Sequence, residues 1–160
     1  AVPSEVPHLN EIESVEPHTW EVLRKGSDCA ILAVGSMVLP ALEAADVLGA
    51  EGVKCTVVNC RFLKPYDRSV FNEVMHNHPT VLTIEEGQVV NGFGAFMAKE
   101  LNDLNLKTAP QMSAMGLPDS FIEHGARKDL LADIGLDVKG MVTRVRRLVG
   151  VKSASLMETA

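Results

Sequence analysis

The chain has 160 residues, enough for one globular domain, and its 46% hydrophobic and 22% charged residues exclude a disordered tail or a collagen-like fibre. The formal net charge of −6 argues against a nucleic-acid partner, because phosphate backbones bind basic surfaces. No apolar run approaches the roughly 20 residues that span a bilayer, and no N-terminal signal pattern is present, so we expect a cytoplasmic protein without a membrane partner.

The sequence divides into three parts. Residues 1–17 are rich in proline and glutamate and have no sustained period, which predicts an extended linker. Residues 18–149 carry the patterns of a folded domain, and residues 150–160 predict a flexible tail. Because the first residue is alanine and not methionine, we expect a fragment or a trimmed product.

Strand and helix patterns alternate along the folded part. The predicted strands lie in "TWEVLRKG", "CAILAVG", "VKCTVVNC", "TVLTIEE" and, more weakly, "KTAPQMSAM". The predicted helices lie in "SMVLPALEAADVLGAEG", "RSVFNEVMHNH", "GFGAFMAKELNDL", "ARKDLLADIG" and "DVKGMVTRVRRLVG". Such alternation predicts an α/β fold with a mainly parallel sheet covered by helices on both faces.

Periodicity predicts which faces of these helices are buried. The predicted apolar face of the first helix is formed by Val38, Leu42, Ala45 and Gly49. The predicted apolar face of the third helix is formed by Phe93, Met97 and Leu101.

The cysteines and histidines predict no metal site. Cys29, Cys55 and Cys60 are odd in number and form no C-x-x-C, so we expect reduced thiols in strands or at strand ends. His76 and His78 would point about 200° apart on a helix and share no metal-binding face.

The stretch "TIEEGQVVNGFGAF" places Glu85 and Glu86 at a strand end and Gly92 and Gly94 at a helix start. A dinucleotide fingerprint needs a third glycine where position 97 has methionine, and the two glutamates would repel a pyrophosphate. We therefore favour an architectural role, in which the glycines allow a sharp turn and close packing of the helix on the sheet. The side chains of adjacent strand residues point to opposite faces of the sheet. We therefore expect one glutamate to form a cap or hydrogen bond near the strand end and the other to be solvated or to meet another domain.

Other polar residues leave their role open. "NCRFLKPYD" collects charged and aromatic residues at a strand end, which suits a polar interface or the edge of a site. His124 in "FIEHG" lies in a loop, where we favour a hydrogen-bonded structural histidine over a functional one. The arginines near the last helix end suit the helix dipole, which favours a solvated face over anion binding. They are Arg144, Arg146 and Arg147.

Several segments resemble a known family. "RFLKPYD" and "TIEEGQVVNGFGAFMAKEL" are similar to transketolase C-terminal domains in general, including the beta subunits of pyruvate-dehydrogenase-type enzymes. "GLPDSFIEHGARKDLLADIGLDVKGM" resembles more specifically the C-terminal domain of 1-deoxy-D-xylulose-5-phosphate synthases, and "DCAILAVGSMVLPALEAADVL" extends the resemblance over residues 18 to about 149. Tyr66, where leucine is common, and an Asn-Gly-Phe-Gly in place of a Gly-Gly pair are departures of packing size.

This resemblance implies a three-layer α/β/α sandwich around a mostly parallel sheet. It also implies a homodimeric enzyme that condenses pyruvate with D-glyceraldehyde 3-phosphate, using thiamine diphosphate and Mg²⁺, in the first step of the methylerythritol phosphate route to isoprenoids. The Gly-Asp-Gly magnesium motif, the activating glutamate and the Arg-Tyr-Pro-Arg-Gly segment of that enzyme do not occur in this sequence. The resemblance therefore implies the third domain alone, whose partners are the missing N-terminal and middle domains, without catalytic, cofactor-binding or metal-binding residues.

The resemblance makes the strand-end residues candidates for an interdomain or dimer interface. They are Arg61, Lys64, Tyr66, Asp67, Glu85, Glu86, Gly92, Gly94 and His124. Two alternatives stay open: a regulatory module that binds a small anion or a nucleotide at the 92–94 turn, and the C-terminal domain of a ketoacid dehydrogenase beta subunit. "GLPDSFIEHG" argues against the second.

Overall fold

A computed structural model describes residues 14–151. Most of the predicted linker (1–17) and of the predicted tail (150–160) lies outside the described residues, and both stay predictions. The strands are β1 Glu21–Arg24, β2 Cys29–Ala33, β3 Cys55–Asn59, β4 Thr80–Gln88 and β5 Gln111–Leu117. The helices are α1 Val38–Ala50, α2 Arg68–Asn77, α3 Phe93–Asp103, α4 Arg127–Asp133 and α5 Val138–Val149, and a 3-10 turn, Gly35–Met37, precedes α1.

The five strands form one sheet in the order β1-β3-β2-β4-β5. β1 is antiparallel to β3, whereas the pairings β3 with β2, β2 with β4 and β4 with β5 are parallel. The prediction of a mostly parallel sheet is confirmed. The chain moves from β2 to β3 on one side and then returns to β4 on the other, so the sheet has a topological switch point between β2 and β4.

Helices cover both faces of the sheet, which confirms the three-layer α/β/α sandwich. Ile31 and Val57 face a core closed by α1, α4 and α5. Leu32 and Val58, their neighbours along the strands, face a second core closed by α2 and α3. Because both faces of the central strands are covered, these strands are apolar without alternation.

The predicted face of α3 is confirmed, since Phe93, Met97 and Leu101 are all buried. The predicted face of α1 is wrong in part, because Gly49 is exposed and Leu42 only half-buried. The residues that α1 buries are Ala41, Ala44, Ala45 and Leu48. Apart from Glu43 and Asp46 the helix is apolar, so the spacing of its apolar residues did not select one face. The small alanines allow the closest approach to the sheet and α5.

The cysteines are free thiols in strands or at a strand end, as predicted, and all three are buried. Cys29 and Cys55 begin β2 and β3 and are opposite each other in the parallel register, and Cys60 follows β3 directly. Burial raises the pKa of the Cys29 thiol to about 11 and that of the Cys55 thiol to about 12. A reactive cysteine needs an accessible thiolate, and these thiols are buried and protonated. They therefore act as core residues.

Within residues 14–151, none of the helices has the length and apolar character needed to cross a membrane.

Candidate functional site

The sequence-predicted site residues lie along one edge of the sheet, where the parallel strands reach their carboxyl ends. Open α/β sheets place their ligands at this edge, above all at the switch point. The loops after β3, β4 and β5 carry every one of the predicted interface residues, apart from the helical Gly94 and the two glutamates of β4 itself.

Glu85 is directed into the domain, where it binds the start of α3. Its side chain is buried, and its Oε1 accepts a hydrogen bond from the Gly94 N–H at 2.9 Å. A carboxylate at this position satisfies an unpaired amide of the first helical turn and opposes the positive end of the helix dipole. The anion-binding position at this turn is thus filled by the protein's own carboxylate, which argues against the alternative of a phosphate-binding 92–94 turn.

Gly92 and Gly94 allow the start of α3 to pack closely against β4 and β5. A Cβ on Gly94 would lie 2.5 Å from Thr83 Oγ1 and 2.6 Å from Ala114 Cβ, and a Cβ on Gly92 would lie 2.6 Å from Glu85 Oε1. Gly92 has φ −80°, so its backbone is not in the left-handed region. The architectural role predicted for the glycines is borne out by these contacts, through packing and not through backbone strain.

The side chain of Glu86 points to the opposite face of β4, and its hydrogen bonds span the switch point between β2 and β4. Its carboxylate accepts two hydrogen bonds from the guanidinium of Arg127, of which the bond from Nε to Oε1 is 2.6 Å long, and a third from Ser36 Oγ at 2.5 Å. The Arg127 bonds, with Ser36 adding to them, lower the pKa of the Glu86 carboxyl below its usual value. Glu86 therefore connects the end of β2, β4 and α4 of its own chain.

The polar residues of "NCRFLKPYD" fasten this loop to the domain. Asp67 caps α2 through its Oδ1, which accepts from the Ser69 and Val70 N–H groups at 3.0 Å each, while its Oδ2 accepts from the Trp20 N–H at 2.9 Å. Arg61 reaches Thr19 Oγ1 at 3.2 Å.

Tyr66 joins the same loop to α3. Its hydroxyl donates to Glu100 Oε2 at 2.5 Å. Burial, followed by this hydrogen bond, raises the pKa of the Tyr66 hydroxyl to about 12. The nearby Lys64 places its Nζ 5.6 Å from the centre of the Phe96 ring.

The predicted residues do not form one cluster. Lys64 and Gly92 line a cavity of about 460 Å³ beside α3. Glu86 and His124 line another, of about 430 Å³, beside α4. His124 is exposed and has no hydrogen-bond partner among residues 14–151, and the hydrogen-bonded structural histidine stays a prediction.

Sequence reasoning missed an apolar edge, which we define as four exposed side chains: Leu39, Leu63, Val90 and Phe121. They are 70%, 39%, 50% and 107% exposed. Each follows a different parallel strand, from β2 to β5, so all four lie on the carboxyl side of the sheet. Apolar residues in the predicted loops were the available signal for Leu63, Val90 and Phe121, whereas Leu39 lies in a predicted helix. Only the strand arrangement shows that all four share one side.

Comparison with known proteins identifies the family. The sequence model of the family described as "Transketolase, C-terminal domain" matches residues 18–141. The chain belongs to the transketolase C-terminal domain family. A split-gene transketolase, described as an inactive beta4 tetramer, is 33% identical with a TM-score of 0.77 over 86% of this chain and 44% of that one. The transketolase of Campylobacter jejuni, 22% identical with a TM-score of 0.57 over 81% of this chain and 18% of that one, shares the fold.

Among curated relatives of this transketolase C-terminal domain are 1-deoxy-D-xylulose-5-phosphate synthases. That of Geobacillus thermodenitrificans is 40% identical over 144 residues, which are 90% of this chain and 23% of the relative. That of Magnetococcus marinus is 41% identical over 150 residues, 93% of this chain and 23% of the relative. The chain thus spans less than a quarter of the length of these relatives.

Among the described residues, the carboxyl edge of the sheet offers neither a cluster of metal ligands nor a free start of α3 for a thiamine diphosphate and magnesium site. Nowhere in residues 14–151 do three or more His, Cys, Asp or Glu side chains gather as metal ligands would. The amide at the start of α3 that could have met a phosphate is occupied by Glu85.

Proposed function

We propose that this chain is the C-terminal domain of a 1-deoxy-D-xylulose-5-phosphate synthase, and that the domain serves assembly and not catalysis. The complete enzyme would condense pyruvate with D-glyceraldehyde 3-phosphate as a cytoplasmic homodimer. The family match over residues 18–141 and the 36–41% identity to synthases from several bacteria support this proposal. Thiamine diphosphate and Mg²⁺ would be held by the remainder of the enzyme, because the Gly-Asp-Gly magnesium motif of the synthases does not occur in this chain.

The observation that carries the assembly role is the apolar edge. A water-exposed phenylalanine, two leucines and a valine on one side of a sheet are typical of a surface that another protein covers. The occupant we propose is the preceding part of the same polypeptide, because the synthases that match this chain are roughly four times as long. Arg61, Lys64 and His124, which are exposed on the same side, would form the polar rim of this contact.

The remaining interface candidates would act indirectly. The polar groups of Tyr66, Asp67 and Glu85 form hydrogen bonds within the domain. We propose that they hold the two loops that present Leu63 and Val90, so that both loops keep one shape when the partner binds. This arrangement would limit the conformational entropy lost on association.

The proposal is tested first on the complete polypeptide from the source cells. Its mass should be roughly four times that of this chain, and it should form 1-deoxy-D-xylulose 5-phosphate when given both substrates with thiamine diphosphate and Mg²⁺. The isolated chain should not assemble a catalytic cofactor site and should not decarboxylate pyruvate. A complete polypeptide that is inactive in this assay, or an isolated chain that is active, would contradict the proposal.

The apolar edge is tested by paired substitutions in the complete polypeptide. Leu63→Ser with Phe121→Ser should lower kcat by about tenfold or more and weaken the dimer, because a displaced domain misplaces distant catalytic groups. Val47→Ser is the control, since Val47 is 43% exposed on α1 but lies outside the apolar edge. It should leave both readouts within about twofold of wild type. Equal effects of the two changes would mean that this edge has no special part in assembly.

A second candidate is supported by the 33% identity to the split-gene transketolase. The chain would then be the C-terminal domain of a separate transketolase-type beta subunit that needs an alpha subunit. The same mass measurement distinguishes the two candidates, because the chain covers 44% of that structure's chain and the polypeptide would be roughly twice as heavy as this domain.

A further inference from the structure

A groove of about 570 Å³ lies between β5, at the open edge of the sheet, and α5. Ala114 and Gly116 of β5 form one wall, and Gly140 and Thr143 of α5 form the other. This volume falls within the range of small-molecule sites, and none of the sequence-predicted site residues lines the groove.

Three cations border the groove: Lys139, Arg144 and Arg147. Within residues 14–151, the ion pairs closer than 4.0 Å are made by other cations, so none of these three contacts a carboxylate. The groove contains one carboxylate, Asp137, whose Oδ1 accepts a hydrogen bond from the Gly140 N–H at 2.8 Å as the cap of α5. A chain with a net charge of −6 therefore concentrates unpaired positive charge at this place.

Arg144 is held in position for an anion. Its Nη1 donates to Ser113 Oγ on β5 at 2.8 Å, which fixes the guanidinium against the strand. A guanidinium has five N–H donors, so most of them stay available to a ligand, and a fixed planar fork suits the paired oxygens of a phosphate.

Arg146, the other arginine of this helix, does not border the groove. It lies on the same helix between Arg144 and Arg147, but points away from the groove and forms a bidentate ion pair with Glu51. The expectation of a solvated face is compatible with the exposed ion pair between Arg146 and Glu51, whereas Arg144 and Arg147 border the groove.

We propose that the groove between β5 and α5 binds a small molecule through its phosphate or diphosphate group, with Arg144, Arg147 and Lys139 as the binding cations. Phosphate is favoured over a monocarboxylate because three cations match a multiply charged group with several acceptor oxygens. A nucleic acid is disfavoured because the chain as a whole carries a net charge of −6. The inference does not rest on the proposed enzyme, because the groove lies wholly within this chain.

The test is calorimetric titration of the chain with inorganic pyrophosphate, with inorganic phosphate as the weaker probe, at an ionic strength kept constant with sodium chloride. We expect saturable binding at one site. The double substitution Arg144→Gln with Arg147→Gln should reduce the affinity by about tenfold or more, and Lys139→Gln by a smaller factor. The matched control is Arg146→Gln, which removes one positive charge from the same helix outside the groove and should change the affinity by less than about twofold.

Three outcomes would overturn the inference. These are no saturable binding to the wild-type chain, undiminished binding to the double variant, and an equal loss of affinity in Arg146→Gln, which would indicate binding by general charge. Because Arg144→Gln also removes the bond to Ser113, urea unfolding of each variant must show that it is folded. If the double variant fails to fold, Lys139→Gln and Arg147→Gln, which break no described hydrogen bond, decide the question by the same criterion.

Discussion

Replacing Gly94 with alanine should separate α3 from the sheet. The new methyl group would lie 2.5 Å from Thr83 Oγ1 and 2.6 Å from Ala114 Cβ, where ordinary contacts need 3.4 Å or more. Both neighbours belong to central parts of β4 and β5, and the Ala114 atom is held by the strand backbone. The helix must therefore move by nearly 1 Å, a displacement on the scale at which packing contacts are lost.

The expected cost has two parts. Forcing a methyl group into a packed core typically costs 1–3 kcal/mol. The same movement lengthens the hydrogen bond from the Gly94 N–H to the buried Glu85, and a weakened helix cap costs about 1 kcal/mol. We expect a loss of about 2–4 kcal/mol, which corresponds to a fall in Tm of roughly 5–15 °C for a domain of this size.

The measurement is urea unfolding of the isolated chain, followed by tryptophan fluorescence. Gly49→Ala is the matched control, because Gly49 is also helical but exposed, and its new methyl group would meet only the movable end of the Arg24 side chain. That substitution should be neutral or stabilise by up to about 1 kcal/mol, since alanine is the better helix former. If Gly94→Ala leaves the midpoint unchanged at an unchanged slope, close packing is not the reason for glycine at position 94.

Three further outcomes follow from buried polar groups. Thr83→Val should stabilise the chain by about 1 kcal/mol, because Thr83 Oγ1 is buried without a hydrogen-bond partner among the described residues; a lower urea midpoint would contradict this. The single tyrosine, Tyr66, should ionise near pH 12 in an absorbance titration of the folded chain, so its contribution to stability is complete below about pH 10 and is lost as pH rises toward 12. Glu100→Gln should lower that midpoint, and an unchanged value would exclude the carboxylate as a cause. Thiol reagents should leave Cys29 and Cys55 unmodified in the folded chain and modify them in urea, because burial raises their pKa; rapid labelling without urea would refute this.

The sequence was sufficient for the sheet and for most helices, because their signals are local. Continuous apolar runs marked β2 and β3, and the spacing of Phe93, Met97 and Leu101 marked the buried face of α3. The buried face of α1 was not predictable in the same way. Nearly every position of that helix is apolar, so its sequence alone does not show that Ala44 is buried and Gly49 exposed. Their burial depends on α5, which lies far along the chain and packs beside α1.

The site was predictable only where its partners are near in sequence. The alternation of a strand separated Glu85 from Glu86, and Glu85 binds Gly94 only 9 residues away. Glu86 instead meets Arg127, 41 residues further along, and Ser36, 50 residues before it. No local pattern predicts such contacts, because they depend on the strand order that brings β2 and β4 together.

The two places where an open α/β sheet ordinarily binds a ligand are both filled here by the protein's own side chains. The carboxylate of Glu85 occupies the start of α3, and the group formed by Ser36, Glu86 and Arg127 closes the switch point. This edge also exposes four apolar side chains, of which Phe121 is the most exposed. The carboxylates of Glu85 and Glu86 are hydrogen-bonded within the domain, so covering them with another domain would cost little hydration energy. Unpaired cations remain in the groove beside β5, and a small anionic ligand of this domain should therefore bind there and not above the switch point.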